Sequence, residues 1–243
     1  MKLQTILTYI SLFFSITGYA QDINGIAVYK YKFPLKDTLT ATLFFDNNGE
    51  SYYIAKNKIR IFQSSQSNNE EFTPLVREKY DSSFVFRNIL TKEHLYSEGI
   101  FSKGYIVTDT LRKIKWELLP ETKKIGNFNC ASAKTRFGGR NYQVWYTPEI
   151  PINTGPWKLY GLPGLIVEVA DDAQLIYYVL ASLEINKEKK DKSLDIKKIR
   201  EVAISKEAFK KQEKLADERA KAFGQSHGAK ITIKRQRLEL EDN

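Results

Sequence analysis

A chain of 243 residues with 42% hydrophobic and 13% aromatic residues and a formal net charge of +9 suits one domain around a single core. One cysteine excludes an internal disulfide, and that cysteine with two histidines makes too small a donor set for an ordinary zinc site. No Asp-rich loop has calcium spacing, so neither a metal nor any other cofactor is expected.

Taken in chain order, Lys2 precedes an apolar run from Ile6 to Ile16, which ends in Thr17-Gly18-Tyr19-Ala20. Small residues at the positions a signal peptidase reads make residues 1–20 an expected signal peptide, removed on export. The run is shorter than the roughly 20 residues of a spanning helix, and none longer follows. Residues 21–243 are then expected to form one β-rich domain. The first strands are predicted over Gly25–Phe33, Leu39–Phe45 and Ser51–Ala55. Asn48-Gly49 makes the hairpin between the last two, and Ile59–Phe62 continues the meander. Gln63–Glu71 is small and polar and reads as a loop. Further strands are predicted over Ser83–Ile89, Glu93–Tyr96, Tyr105–Thr108 and Ile114–Leu118, with a turn at Pro120.

Phe128–Phe137 and Asn141–Tyr146 flank the turn Gly138-Gly139. Gly164–Ala170 and Gln174–Ile185 flank Asp171-Asp172-Ala173, and Leu175, Tyr177, Val179, Ala181, Leu183 and Ile185 would line one face. Residues 186–243 form a basic, partly helical region. Asn186–Arg200 reads as solvated lysine-rich chain, Ser205 as the N-cap of a helix over Lys206–Phe223 closed by Gly224, and Ile231–Ile233 as a last strand. Short strands at 8–12-residue spacing without βαβ units predict a mainly β fold, an antiparallel, strongly curved sheet or half-open barrel with one C-terminal α-helix.

No catalytic residue stands out. Cys130 reads as a buried strand residue, nothing brings it to His94 or His227, and Ser226-His227-Gly228 lacks a nucleophile elbow. Glu149, Glu168 and Glu184 have nothing to set them apart from solvated strand carboxylates. The most ordered stretch is Trp157–Val169. Leu162-Pro163-Gly164-Leu165 meets the requirements of a type II turn, with Gly164 at positive φ, and Trp157, Leu159 and Tyr160 form an apolar cluster beside it. Trp157, Tyr160, Gly161, Leu162, Pro163, Gly164 and Leu165 are therefore the candidate partner-binding residues, a rigid turn that lowers the entropy of docking.

Gly161-Leu162-Pro163-Gly164-Leu165-Ile166 is letter for letter the hexapeptide that names the GLPGLI family of exported Bacteroidetes proteins. Gly126–Cys130, Ala133, Arg140, Val144-Trp145-Tyr146, Ile150-Pro151 and Gly155-Pro156 also resemble that family. The resemblance implies export and a β-rich fold and transfers no chemistry. Together these readings predict a non-enzymatic exported envelope protein, periplasmic or peripherally associated with the outer membrane. It would be an accessory or subunit of an outer-membrane transport or assembly complex, with an outer-membrane protein or receptor as partner. The basic C-terminal region would meet an anionic envelope surface, and export argues against nucleic acid. The alternatives are a periplasmic carrier of a lipid or other apolar ligand, and a hydrolase with an unrecognised site.

Overall fold

A computed structural model of the protein describes residues 23–32, 38–64, 74–101, 103–185, 195–228, 231–233 and 239, with the side chains of residues 56–82 excepted. The expected signal peptide, residues 65–71 of the polar loop and residues 186–194 of the lysine-rich span lie outside the described residues. The strands are β1 Gly25–Lys32, β2 Leu39–Phe45, β3 Glu50–Ser64, β4 Pro74–Asn88, β5 Glu93–Ile100 and β6 Lys103–Thr110, then β7 Glu117–Ile125, β8 Phe128–Phe137, β9 Arg140–Thr147, β10 Leu165–Asp171, β11 Tyr177–Ile185 and β12 Ile204–Ser205. Two helices follow β11, α1 over Ile196–Val202 and α2 over Lys206–Ser226.

All twelve strands share one sheet in the order β12-β6-β5-β4-β3-β2-β1-β11-β10-β9-β8-β7, which has two free ends and does not close. The pairings are antiparallel except β12 with β6. Alternation drives the curvature. Ala27, Tyr29 and Tyr31 of β1, Ala41, Leu43 and Phe45 of β2, and Tyr142, Val144 and Tyr146 of β9 all turn to one continuous core. The sheet therefore folds over on itself, and its concave side is filled. The Tyr29 hydroxyl donates to the Ile166 carbonyl at 2.7 Å, joining β1 to a strand that is not its neighbour.

The predicted hairpins form where expected. Gly138 and Gly139 both take positive φ, 54° and 71°, as a two-residue turn between twisted strands demands. Ser205 caps α2 by accepting from the Ala208 amide at 3.1 Å. Among the described residues no helix is long and apolar enough to cross a membrane, which says nothing of strands.

The structure departs from the sequence expectations at five places. Pro120 does not end a strand, because β7 is an edge strand and a register shift between Leu119 and Thr122 takes the proline out of the ladder. Ile114 belongs instead to a loop, Leu111–Trp116. At the start of β11 it is Tyr178 that is buried, whereas Tyr177, and Leu175 just before the strand, are exposed; a register shift at Val28/Tyr29 switches the parity, so that Leu183 and Ile185 pack on the core as predicted. Part of the basic span is helix α1, where Asp195 caps the N-terminus. Its Ile196 and Ile199 pack against a second cluster, Phe44, Phe86 and Leu95, on the convex side. Residues 231–233 form no strand.

Candidate functional site

The connector from β9 to β10 crosses the concave side and buries most of the candidate docking residues. Trp157, Tyr160, Leu162 and Leu165 are 5%, 8%, 1% and 0% exposed, so Gly161 and Pro163 alone among the seven present surface. The turn itself is not type II. The Gly164 amide donates to the Leu162 carbonyl at 2.8 Å, a γ-turn centred on Pro163. Positive φ falls on Gly161, at 96°. Gly164 is glycine for a different reason, since a Cβ there would lie 2.2 Å from the Thr147 carbonyl oxygen. Backbone against backbone leaves nothing to move.

Arg87, reached from β4, holds this connector. It is 1% exposed and donates through Nη1 to the carbonyls of Trp157 (2.8 Å) and Leu159 (3.0 Å). Through Nη2 it donates to Thr154 Oγ1 and the Gly155 carbonyl, both at 2.8 Å, and through Nε to Ser51 Oγ at 3.2 Å. Trp157 sits in the left-handed region at φ 53°, a costly place for a bulky residue, and the guanidinium grips its carbonyl. Burial lowers the Arg87 pKa to about 10. With carbonyls and hydroxyls on every nitrogen, Arg87 is a structural cation and not a reactive one.

Next to it, Lys158 is buried and pairs with Glu239 at 2.7 Å, its ammonium lying 3.5 Å from the centre of the Tyr96 ring. The His94 ring lies tilted against Tyr96, 4.9 Å between centroids, and its Nε2 is buried with no hydrogen-bond partner among the described residues. Burial first, then the charges of Lys158 and Arg87, push the His94 pKa down to about 3, so the ring is neutral. Cys130 is buried, as predicted, and lies on β8 while His94 lies on β5. Glu168 pairs with Lys123 at 2.8 Å, and Glu149 accepts from the Asn129 amide at 2.7 Å, so neither is a free acid. Asp171 is buried, accepts from the Leu175 and Ile176 amides and pairs with Arg140 at 3.1 Å, which makes it the organiser of the β10–β11 turn.

A cleft of ≈ 640 Å³ opens where the Leu111–Trp116 loop lies along β7, β8 and β9. That volume falls in the range of about 300–1,000 Å³ typical of small-ligand sites. Its walls are Lys115, Trp116 and Glu117 on one side and Lys134, Arg136, Asn141 and Gln143 on the other, with Asp172 and Tyr142 completing it. The cross-strand register explains the polar wall: Lys134 lies opposite Gln143 and Arg136 opposite Asn141, so all four side chains share the outer face. Two bonds fix the loop. Thr135 Oγ1 donates to the Lys115 carbonyl at 2.7 Å, and the Trp116 indole donates to the Tyr160 carbonyl at 2.9 Å. The second ties the cleft to the Arg87-held connector. Inside, Glu117 pairs with Lys134 at 3.0 Å, Asn141 Nδ2 donates to Asp172 Oδ2 at 2.9 Å, and Gln143 Nε2 to Ser132 Oγ at 3.3 Å. An aromatic ring beside a row of amides, carboxylates and cations matches a ligand with apolar ring faces and many hydroxyls. The readable sequence signal is the alternation of Asn141 and Gln143 with Tyr142 and Val144. The partner wall comes from a loop whose docking no local pattern reveals. Among the described residues no group of three or more His, Cys, Asp and Glu side chains could hold a metal.

Fold and cleft define a class: an open, folded-over antiparallel sheet whose polar cleft sits beside a buried connector. Residues 53–220 match the family model of the N-glycanase peptide, N-terminal domain, and the chain belongs to that family. The match runs from β3 into α2, while β1 and β2 lie outside it yet stand mid-sheet. A solved structure of PNGF-II in the C2 space group shares the fold at TM-score 0.50 and 16% identity, covering 80% of this chain and 33% of that one. One in the P21 space group is similar at TM-score 0.47 and 15% identity, covering 75% and 31%. The chain thus spans about a third of the solved chains it matches. No curated protein matches the sequence. Two expectations are overturned by the family match. The family is that of the N-glycanase N-terminal domain and not the GLPGLI family, and a reading with no tie to an enzyme gives way to one within an enzyme's family.

Proposed function

We propose that the chain is glycan-directed, a domain of the N-glycanase type that serves hydrolysis, and that the cleft between the Leu111–Trp116 loop and β8–β9 holds the glycan. Family membership over residues 53–220 carries this reading. The cleft supports it, because sugar rings present apolar faces to an indole and hydroxyls to amides and carboxylates, and Trp116, Asn141, Gln143 and Asp172 line one space. The apolar-ligand carrier loses ground, since Tyr29, Leu43, Trp157, Leu159 and Leu162 fill the concave side. An exported location, periplasmic or at the outer membrane, rests on the leader read in residues 1–20 and would bring the cleft to glycans outside the cytoplasm.

The test titrates an N-glycopeptide, and the same peptide stripped of its glycan, into the purified protein by calorimetry, while mass spectrometry follows the mixture for released glycan. Binding that requires the glycan is expected, weakened roughly tenfold by Gln143→Ala, about what one lost hydrogen bond is worth. Identical behaviour of the two peptides, with no glycan released, would contradict the proposal.

A further inference from the structure

Resting on the glycan reading above, we infer that the cleft takes an acidic glycan, whose anionic substituent is held between Lys115 and Arg136. The cleft carries the cations Lys115, Lys134 and Arg136 against the carboxylates Glu117 and Asp172. Glu117 is neutralised by Lys134 at 3.0 Å, whereas Asp172 accepts from the neutral Asn141 amide at 2.9 Å and keeps its charge, so three cations against two carboxylates leave the cleft net positive. Lys115 and Arg136 are the cations left over, and among the described residues neither has an ion pair.

Their placement is fixed by backbone. The Thr135 hydroxyl, donating to the Lys115 carbonyl at 2.7 Å, seats the loop against β8 one residue before Arg136. A neutral sugar needs hydroxyl partners, and the amides of Asn141 and Gln143 supply them. It has no use for a net positive cleft with an ammonium and a guanidinium, free of ion pairs among the described residues, on its two facing walls. An anion does: a planar guanidinium and an ammonium supply charge-assisted hydrogen bonds to a carboxylate or a sulfate ester alike. Arg112 and Lys113, exposed on the same loop, extend the positive field outward and would steer such a ligand in.

The experiment compares three glycopeptides on one peptide: a neutral N-glycan, the same glycan ending in a carboxylate sugar, and the same glycan bearing a sulfate ester. Each is titrated into the native protein and into the double variant Lys115→Gln, Arg136→Gln, whose melting temperature is checked to be unchanged. At least one acidic form is expected to bind roughly tenfold tighter than the neutral one, and its identity names the substituent. The preference should shrink with added salt and vanish in the double variant, which binds all three glycopeptides alike. Equal affinity for all three in the native protein would overturn the acidic preference and leave the glycan reading standing. A variant that loses neutral binding in proportion would overturn the assignment to these two cations. No binding of any of the three would overturn both readings.

Discussion

Arg87 shows how one side chain can decide a region that is remote in sequence. It reaches the connector some 70 residues away and satisfies carbonyls that a buried, irregular segment would otherwise leave unpaired. Lysine keeps the charge but not the planar fork, so Arg87→Lys is expected to cost about 3 kcal/mol, lowering Tm by roughly 6–12 °C for a domain of this size. Differential scanning calorimetry checks this, and an unchanged Tm would contradict the clamp. His94 carries a pH signature. Its folded pKa of about 3 lies below the ordinary value of 6.5, so the unfolded chain binds the extra proton first as pH falls. The stability contributed by the neutral ring is complete above about pH 6.5 and is lost progressively toward pH 3, amounting to about 2 kcal/mol by pH 5. Urea denaturation of His94→Phe beside the native protein should therefore show the two curves parting below pH 6.5, the variant falling less. Parallel loss in both would refute the assignment. Neither residue is legible in the sequence, since an arginine and a histidine on alternating strands read as solvent-facing until the connector lies over them.

At the scale of elements, the two glycines of the turn separate two kinds of constraint. Gly161 has the positive φ and open space, with Trp116 Nε1 at 3.7 Å from an added Cβ, whereas Gly164 has ordinary φ and a carbonyl at 2.2 Å. Gly161→Ala should cost about 1 kcal/mol in backbone strain, and Gly164→Ala more than about 3 kcal/mol, because neither backbone can retreat. Guanidinium denaturation orders the pair, and the reverse order would contradict both assignments. Hairpins such as Asn48-Gly49 and Gly138-Gly139 are legible because their requirement is local, a positive φ between alternating runs. The Leu162-Pro163-Gly164 turn misleads because the same letters satisfy a γ-turn whose glycine is demanded by Thr147, a neighbour in space only. Helix α1 hides for a related reason. Ile196 and Ile199 are its core-facing residues amid lysines, and the Arg200–Glu93 pair at 2.6 Å that anchors it joins residues far apart in sequence.

For the whole molecule, composition and strand spacing predict the open curved sheet and its C-terminal helix, because alternation and turn chemistry are repeated along the chain. The cleft is not predicted in the same way. It is assembled from a loop and two strand faces whose side chains are each unremarkable as polar surface, and only the fold-over brings Trp116 to the connector and Lys115 to β8. The family match then turns a polar cleft into a glycan site as a proposal, and the +9 charge of the chain favours ligands of negative sign. The most direct test is to titrate an N-glycopeptide into isotope-labelled protein and map the shifted amide and side-chain NMR signals. Shifts are expected to be confined to Lys115, Trp116, Arg136, Asn141 and Gln143, with the Trp116 indole among the largest. Shifts centred on Gly161 and Pro163, or on the concave core, would contradict the glycan site, as would a spectrum the glycopeptide leaves unmoved.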